Sequence, residues 1–281
     1  KVDLLASREG NKLSMSSLKT LQRKGVFEEF SEVIPRFPIL KTPKKVKVNL
    51  TPAQNTALTE VLQHYQNKNV ALLHGLTGSG KTEIYVQLIQ QALESGSQVL
   101  LLLPEIALTT QMVIRLKKIF GDKMGVYHSR FSDNERVEVW QSVRNGEYDF
   151  VVGVRSSIFL PFNNLGLIIV DEEHETSYKQ FDPAPRYHAR DAAIVLANLH
   201  KAKVVLGSAT PSLESYYNAQ QNKYGLVTLD RRFGNVLLPE IELVDIKEGY
   251  RKKRMTGHFS ERLLLLINEA LEEKEQVILF Q

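Results

Sequence analysis

From Leu50 onward, short aliphatic runs alternate with segments whose apolar positions recur every three or four residues. The runs predict strands at Val70 to Leu73, Gln98 to Leu103, Met124 to Tyr127, Phe150 to Gly153, Leu167 to Asp171, Lys203 to Gly207, Gly225 to Leu229 and Ile241 to Asp245. Helical spacing fills the gaps at Lys81 to Glu94, Ala107 to Phe120, Asp133 to Asn145 and His188 to His200, with Trp140 expected in the core. Runs such as Val99 to Leu103 and Leu167 to Val170 are aliphatic without a break, which suits a sheet covered on both faces. The alternation predicts a three-layer α/β sandwich with a mainly parallel sheet and ligand loops at the strand ends.

Ahead of this block the pattern changes. Residues Ser14 to Phe30 give a short amphipathic helix with Leu18 and Leu21 three apart, stopped by Lys24-Gly25. Pro35 to Val48 holds three prolines and lysines 41, 44, 45 and 47, the composition of an exposed linker that is either simply solvated or in contact with nucleic acid. The chain begins at Lys1 without methionine and stops on the strand-like run Gln276 to Gln281, so a piece of a longer protein is expected.

Composition narrows the class without naming a function. With 281 residues, 43% hydrophobic and 24% charged, the chain reads as an ordinary soluble globular protein. No apolar run reaches the roughly 20 residues of a membrane span and no signal pattern opens the chain, so a cytoplasmic location and no membrane partner are expected. Zero cysteines exclude disulfides and thiolate metal sites within these residues. The net charge of +4 suits an anionic partner without identifying one.

One stretch carries chemistry by itself. Gly75-Leu76-Thr77-Gly78-Ser79-Gly80-Lys81-Thr82 matches GxxxxGK(S/T) and follows a predicted strand, the arrangement of a P-loop NTPase. Glycines allow the backbone of Gly75, Thr77, Gly78, Ser79 and Gly80 to curl its N–H groups toward phosphates, with the following helix adding its positive end. Lys81 supplies a point charge and Thr82 a hydroxyl ligand for Mg²⁺. The predicted strand Leu167 to Val170 ends in Asp171-Glu172; beside a phosphate loop, Asp171 suits Mg²⁺ and Glu172 suits a proton acceptor for attacking water. ATP and Mg²⁺ are the cofactors expected. Between this strand and the next, Thr176 to Tyr187 interleaves Tyr178, Phe181 and Tyr187 with Lys179 and Arg186. Such rings either stack on unpaired bases, with the cations meeting phosphates, or pack on the sheet. Arg251 to Arg254 is a basic run with the same two readings as the linker.

Taken in order, these blocks resemble superfamily-two helicases of the DExH, RecA-like type. Asp171-Glu172-Glu173-His174 resembles motif II and Gly207-Ser208-Ala209-Thr210-Pro211 motif III, while Leu103 to Gln111 resembles motif Ia and Gly153 to Phe162 motif Ib. The wording LPEIALTTQ, GVRSSIFLPF, DEEHETSYKQ, RYHARDAA and GSATPSLES is similar to the bacterial primosomal replication-restart helicases over Leu50 to Gln281. The resemblance implies an ATP-dependent 3′-to-5′ DNA helicase acting on single-stranded and forked DNA, with single-strand-binding protein and primosome proteins as partners. It implies the tail of a winged-helix DNA-binding domain over residues 1–34, a basic linker over 35–49 and the first motor lobe over 50–281. The second lobe, a zinc-binding insertion and the transition-state arginines are expected elsewhere in a longer chain, so one lobe alone should hydrolyse ATP poorly.

The resemblance also implies residue roles. Gln54, in Leu50-Thr51-Pro52-Ala53-Gln54, would read adenine; His174, Ser208 and Thr210 would couple the nucleotide to the moving lobe. Arg155 and Ser156 would hold a DNA phosphate or, failing that, make structural hydrogen bonds. Tyr178, Lys179, Phe181, Arg186 and Tyr187 fall in an aromatic-rich loop that links DNA to ATPase activity. Two rivals stand beside this reading: a DExH translocase subunit of a restriction system, which lacks the SYKQ and RYHARD blocks, and a nucleotide-gated DNA- or protein-binding module that does not unwind.

Overall fold

Successive side chains of a strand point to opposite faces, so an unbroken aliphatic run must feed two cores at once. The computed structural model, which describes residues 15–26, 49–105, 107, 110–128, 131–232 and 240–280, shows this division. Seven strands form one parallel sheet: β1 (Val70–Gly75), β2 (Gln98–Leu102), β3 (Met124–Tyr127), β4 (Phe150–Gly153), β5 (Leu165–Asp171), β6 (Lys203–Ser208) and β7 (Gly225–Leu229), in the order β3-β4-β2-β5-β6-β1-β7. Ala71, Leu73, Val99, Leu101, Ile169 and Val205 enter one core, and their neighbours Val70, Leu72, Leu100, Leu102, Ile168 and Val204 enter the other.

Among the described residues, three helices cover each face. The first core is closed by α2 (Pro52–His64), α3 (Lys81–Glu94) and α4 (Thr110–Phe120), through residues such as Val61, Ile84, Leu88 and Leu116. The second is closed by α5 (Asp133–Arg144), α6 (Ala189–His200) and α7 (Leu213–Gln220), where Ala189, Ala193 and Ala197, four positions apart, form a stripe that lets α6 approach the sheet. Ahead of them, α1 (Met15–Arg23) matches the predicted amphipathic helix, and Gly25 follows it with φ +70. Most of the expected winged-helix tail and linker lie outside the described residues.

The chain divides into two compact units, with the boundary between Arg231 and Arg232. In the second unit, α8 (Ile246–Arg251) is followed by the antiparallel pair β8 (Met255–Thr256) and β9 (Phe259–Ser260) and by α9 (Glu261–Glu272). The strand predicted at Ile241 to Asp245 is absent there. Asp245 instead accepts from the Lys247 and Glu248 amides and caps α8, and Glu242 is held by Arg262 at 2.8 Å. Gln276 to Phe280 likewise forms no strand. An aliphatic run needs a ladder partner, and among the described residues of this unit β8 and β9 pair only with each other.

Two smaller expectations also change. Ala107, the first residue of one predicted helix, lies in a turn, and α4 is described from Thr110. Trp140 is not core: Val139 and Val143 turn the inward face of α5, and Trp140, one position round, is 39% exposed with the Arg144 guanidinium 5.6 Å from its ring.

Candidate nucleotide site

Sheet order brings the sequence motifs together. β6 lies between β1 and β5, so the loops leaving the carboxyl ends of β1, β5 and β6 are neighbours, where ligands of such sheets bind. In register, Asp171 pairs with Gly207, and Gly207 with Leu73. Gly207 leaves room for the hydroxyl of Tyr85, which any Cβ at that position would overlap. That hydroxyl donates to Asp171 Oδ1 at 2.9 Å.

The phosphate loop is held by β7 and by α2. Leu76 donates its N–H to Leu229 O at 3.1 Å, fixing the loop's start to the end of β7. Gly80 takes φ +86 at the N-cap of α3, packed so closely on the Gln54 amide that a side chain would clash. Gln54 is 2% exposed; its Oε1 accepts from the Thr51 amide at 2.9 Å in a capping box, and its Nε2 donates to Ser79 O at 3.1 Å. The expected adenine reader is therefore engaged at both polar atoms, anchoring the loop to α2. Thr77 and Gly78 form the exposed crest, Ser79 is buried and Thr82 is half-buried.

Lys81 is 8% exposed and donates from Nζ to Gly75 O at 2.9 Å, while the same Nζ lies 3.6 Å from Glu172 Oε1. Two motifs far apart in sequence thus meet at one charged pair. Burial raises the Asp171 carboxyl to about 6, and the Glu172 charge adds to this, against the opposing pull of the Tyr85 hydrogen bond and Lys81. Ser79 Oγ is buried with no protein partner. A buried orphan hydroxyl, an ammonium and a carboxylate made reluctant to ionise are what a phosphate group with a divalent cation would satisfy, so the residues present fit Mg-ATP.

Glu172 occupies the left-handed region at φ +45, and its Oε2 lies 3.7 Å from His174 Nδ1. His174 Nδ1 also meets Ser208 Oγ at 2.8 Å, its Nε2 meets Thr210 Oγ1 at 3.4 Å, and Ser208 Oγ accepts from the Thr210 amide at 3.0 Å. The three expected coupling residues are therefore in mutual contact.

The aromatic segment sorts differently from expectation. Tyr178 is 1% exposed, and its hydroxyl lies 2.7 Å from Asp171 O and 3.0 Å from Leu102 O. It packs in the core and cannot stack on a base, which corrects the role expected for it. Tyr187 is half-buried, edge-on to Phe159 at 4.9 Å. Phe181 alone of the three stands clear, 69% exposed. Between the Lys179–His188 antiparallel bridge and the tip, Gln180 donates from Nε2 to Pro183 O and Pro185 O, leaving Phe181 to Arg186 exposed. Arg155 donates to Ser177 O at 3.0 Å and Lys179 O at 2.8 Å, so its structural role is realised, at the base of this loop. Ser156 lies half-buried in the same turn, and Lys179 Nζ reaches Arg186 O at 3.5 Å.

Sequence reasoning passed over Tyr85, although its position four residues after Lys81 puts both on one face of α3. It also passed over Glu173, Arg190, Ser212 and Ser215. These four lie inside the blocks DEEHETSYKQ, RYHARDAA and GSATPSLES, which mark the family resemblance without giving any of them a role.

Comparison with known proteins bears on this geometry. Residues 51–219 match the family described as DEAD/DEAH box helicase. The chain is 45% identical over 272 residues to "Replication restart protein PriA" of Bacillus subtilis (strain 168), covering 95% of this chain and 33% of that protein. It is 42% identical over 279 residues to the protein of that name from Haemophilus influenzae, covering 96% and 37%, and 39% identical over 276 residues to that from Chlamydia pneumoniae, covering 97% and 37%. The chain spans about a third of the length of these curated relatives.

Proposed function

This chain belongs to the DEAD/DEAH box helicase family, with replication restart protein PriA as its relatives over nearly its whole length, and from that premise we propose that it is the first, ATP-binding lobe of a replication-restart DNA helicase. The observation that carries the reading is the 3.6 Å approach of Lys81 Nζ to Glu172 Oε1, the proposed phosphate-binding cation and the proposed base. The chemistry that bound Mg-ATP supplies is phosphoryl transfer to water. Lys81, now bonded to the Gly75 carbonyl, and Ser79 Oγ would hold the phosphate oxygens. Thr82 and Asp171 would hold the magnesium ion. Glu172 accepts the proton of the attacking water, a task open to it because Asp171 is committed to the metal. His174, with Ser208 and Thr210, passes the state of the site to the loop after β6, and Gln54 keeps the phosphate loop in register.

On the DNA side, exposed Phe181 stacks on an unpaired base, with Lys179 and Arg186 near phosphates. Tyr187 and Phe159 buttress the loop, and Arg155 with Ser156 fixes its base. The complete protein then translocates 3′-to-5′ on single-stranded DNA at forks, in the cytoplasm, with single-strand-binding protein and primosome proteins as partners. Residues 1–34 end a winged-helix domain, 35–49 form a basic linker, and zinc and a second lobe lie elsewhere in the protein. Titrating wild-type and Lys81→Ala protein with a fluorescent ATP analogue and Mg²⁺ tests the nucleotide site. Binding in the wild type that is lost in the variant supports it; equal affinity in both contradicts it.

A further inference from the structure

Directly between Glu172 and His174 sits a residue with no part in the chemistry above. Glu173 has no exposed surface, yet its carboxylate is fully provided for. Oε1 accepts from the Ser212 amide at 2.7 Å, and Oε2 accepts from Ser212 Oγ at 3.0 Å, Ser215 Oγ at 2.8 Å and Arg190 Nη1 at 3.1 Å. Arg190 Nη1 also donates to Ser212 Oγ at 2.6 Å, and its Nε to Asp191 Oδ1 at 2.8 Å. The Glu173 amide, for its part, donates to Gly207 O at 3.1 Å.

We infer that Glu173 and Arg190 are positioning residues, a buried ion pair that locks the turn carrying Glu172 and His174 to the end of β6 and the loop after it, which carry Ser208 and Thr210. The inference rests on the ATP-binding reading of the site. A buried ion pair is a poor source of net stability, because desolvation of both charges offsets their attraction, whereas it fixes geometry wherever its hydrogen bonds are complete. Here both Glu173 oxygens and Arg190 Nε and Nη1 have partners, and these bonds join three elements: the turn after β5, the first turn of α6, and Ser212, which caps α7 at the end of the loop after β6. Glu172 needs such a hold. Its φ of +45 is costly for a residue with a side chain and persists only where its neighbours over-determine it. On one side Asp171 is fixed in the β5–β6 register; on the other Glu173 is fixed by backbone and side chain together. The clamp thereby aims Glu172 at Lys81 and His174 at Ser208.

The test compares Glu173→Gln, Arg190→Met and the double variant in the complete protein. Melting temperature, affinity for an ATP analogue, kcat of DNA-stimulated ATP hydrolysis and nucleotide-free amide exchange at Thr210 and Ser212 are the readouts. Arg190→Met strands a buried carboxylate and loses stability; the double variant, with both charges gone, regains most of it. If the pair positions Glu172, the double variant binds the analogue like wild type, yet its kcat stays about 10- to 100-fold low and its amides at Thr210 and Ser212 exchange faster. Recovery of kcat together with melting temperature would mean the pair only stabilises, and would overturn the inference. Should the double variant not regain stability, isosteric Glu173→Gln decides alone: normal kcat and normal exchange overturn the inference, lowered kcat with faster exchange supports it. A wild-type protein without ATPase activity would sink the proposed function instead, and the nucleotide-free exchange data would still report on the clamp.

Discussion

The Tyr178 hydroxyl lies 2.7 Å from the main-chain oxygen of Asp171, so the first residue of the aromatic segment is tied to the strand that ends in the carboxylate pair. A ring with this bond and 1% exposure acts through packing. Tyr178→Phe keeps the ring and loses the bond, and should cost about 1 kcal/mol. Tyr178→Ala opens a cavity and should cost about 3–5 kcal/mol. Thermal denaturation checks both values; an alanine variant as stable as wild type would mean the ring is not core.

Phe181→Ala should leave stability within about 0.5 kcal/mol, as expected of an exposed position, while lowering DNA-stimulated ATP hydrolysis more than the basal rate. Steady-state assays with and without single-stranded DNA give the comparison. Equal loss of both rates would remove the ring from DNA contact.

Asp171 carries a pH dependence whose sign follows from burial. Its carboxyl is raised to about 6 from the model-compound value of 3.8, so the folded state holds the proton more tightly than the unfolded one. Stability from this group is therefore full at low pH and is lost as pH rises through about 6. Without nucleotide, Asp171→Asn should raise the melting temperature near neutral pH by about 2–4 °C, corresponding to about 1 kcal/mol. The gain should shrink as pH falls to about 5. Melting curves across pH that show a destabilised variant at neutral pH would refute a strained carboxylate. The same variant should lose Mg²⁺-dependent turnover, exchanging function for stability.

Much of the fold could be read in the chain because its signals are local. A doubly covered parallel strand is a near-continuous apolar run, and all seven strands of the sheet overlap the aliphatic-rich segments that predict them. Ile241 to Asp245 looks the same and is not a strand, since composition cannot report whether a ladder partner exists. The phosphate loop was legible for a similar reason: its chemistry requires glycines and a Lys-Thr pair in one short segment. Ring orientation was not. Tyr178 and Phe181 are three residues apart with similar chemistry, and only the approach of Leu102 and Asp171 turns one inward. Glu173 and Arg190 are joined across 17 residues with no periodicity to announce them.

Hydrolysis by a Glu172→Gln variant of the complete protein tests the central claim most directly, because glutamine keeps the shape and removes the proton acceptor. ATP turnover on forked DNA should fall about 100-fold or more, as for loss of a general base, while the ATP analogue and Mg²⁺ still bind. Turnover at the wild-type rate, with Glu172 no longer able to take a proton, would contradict the account.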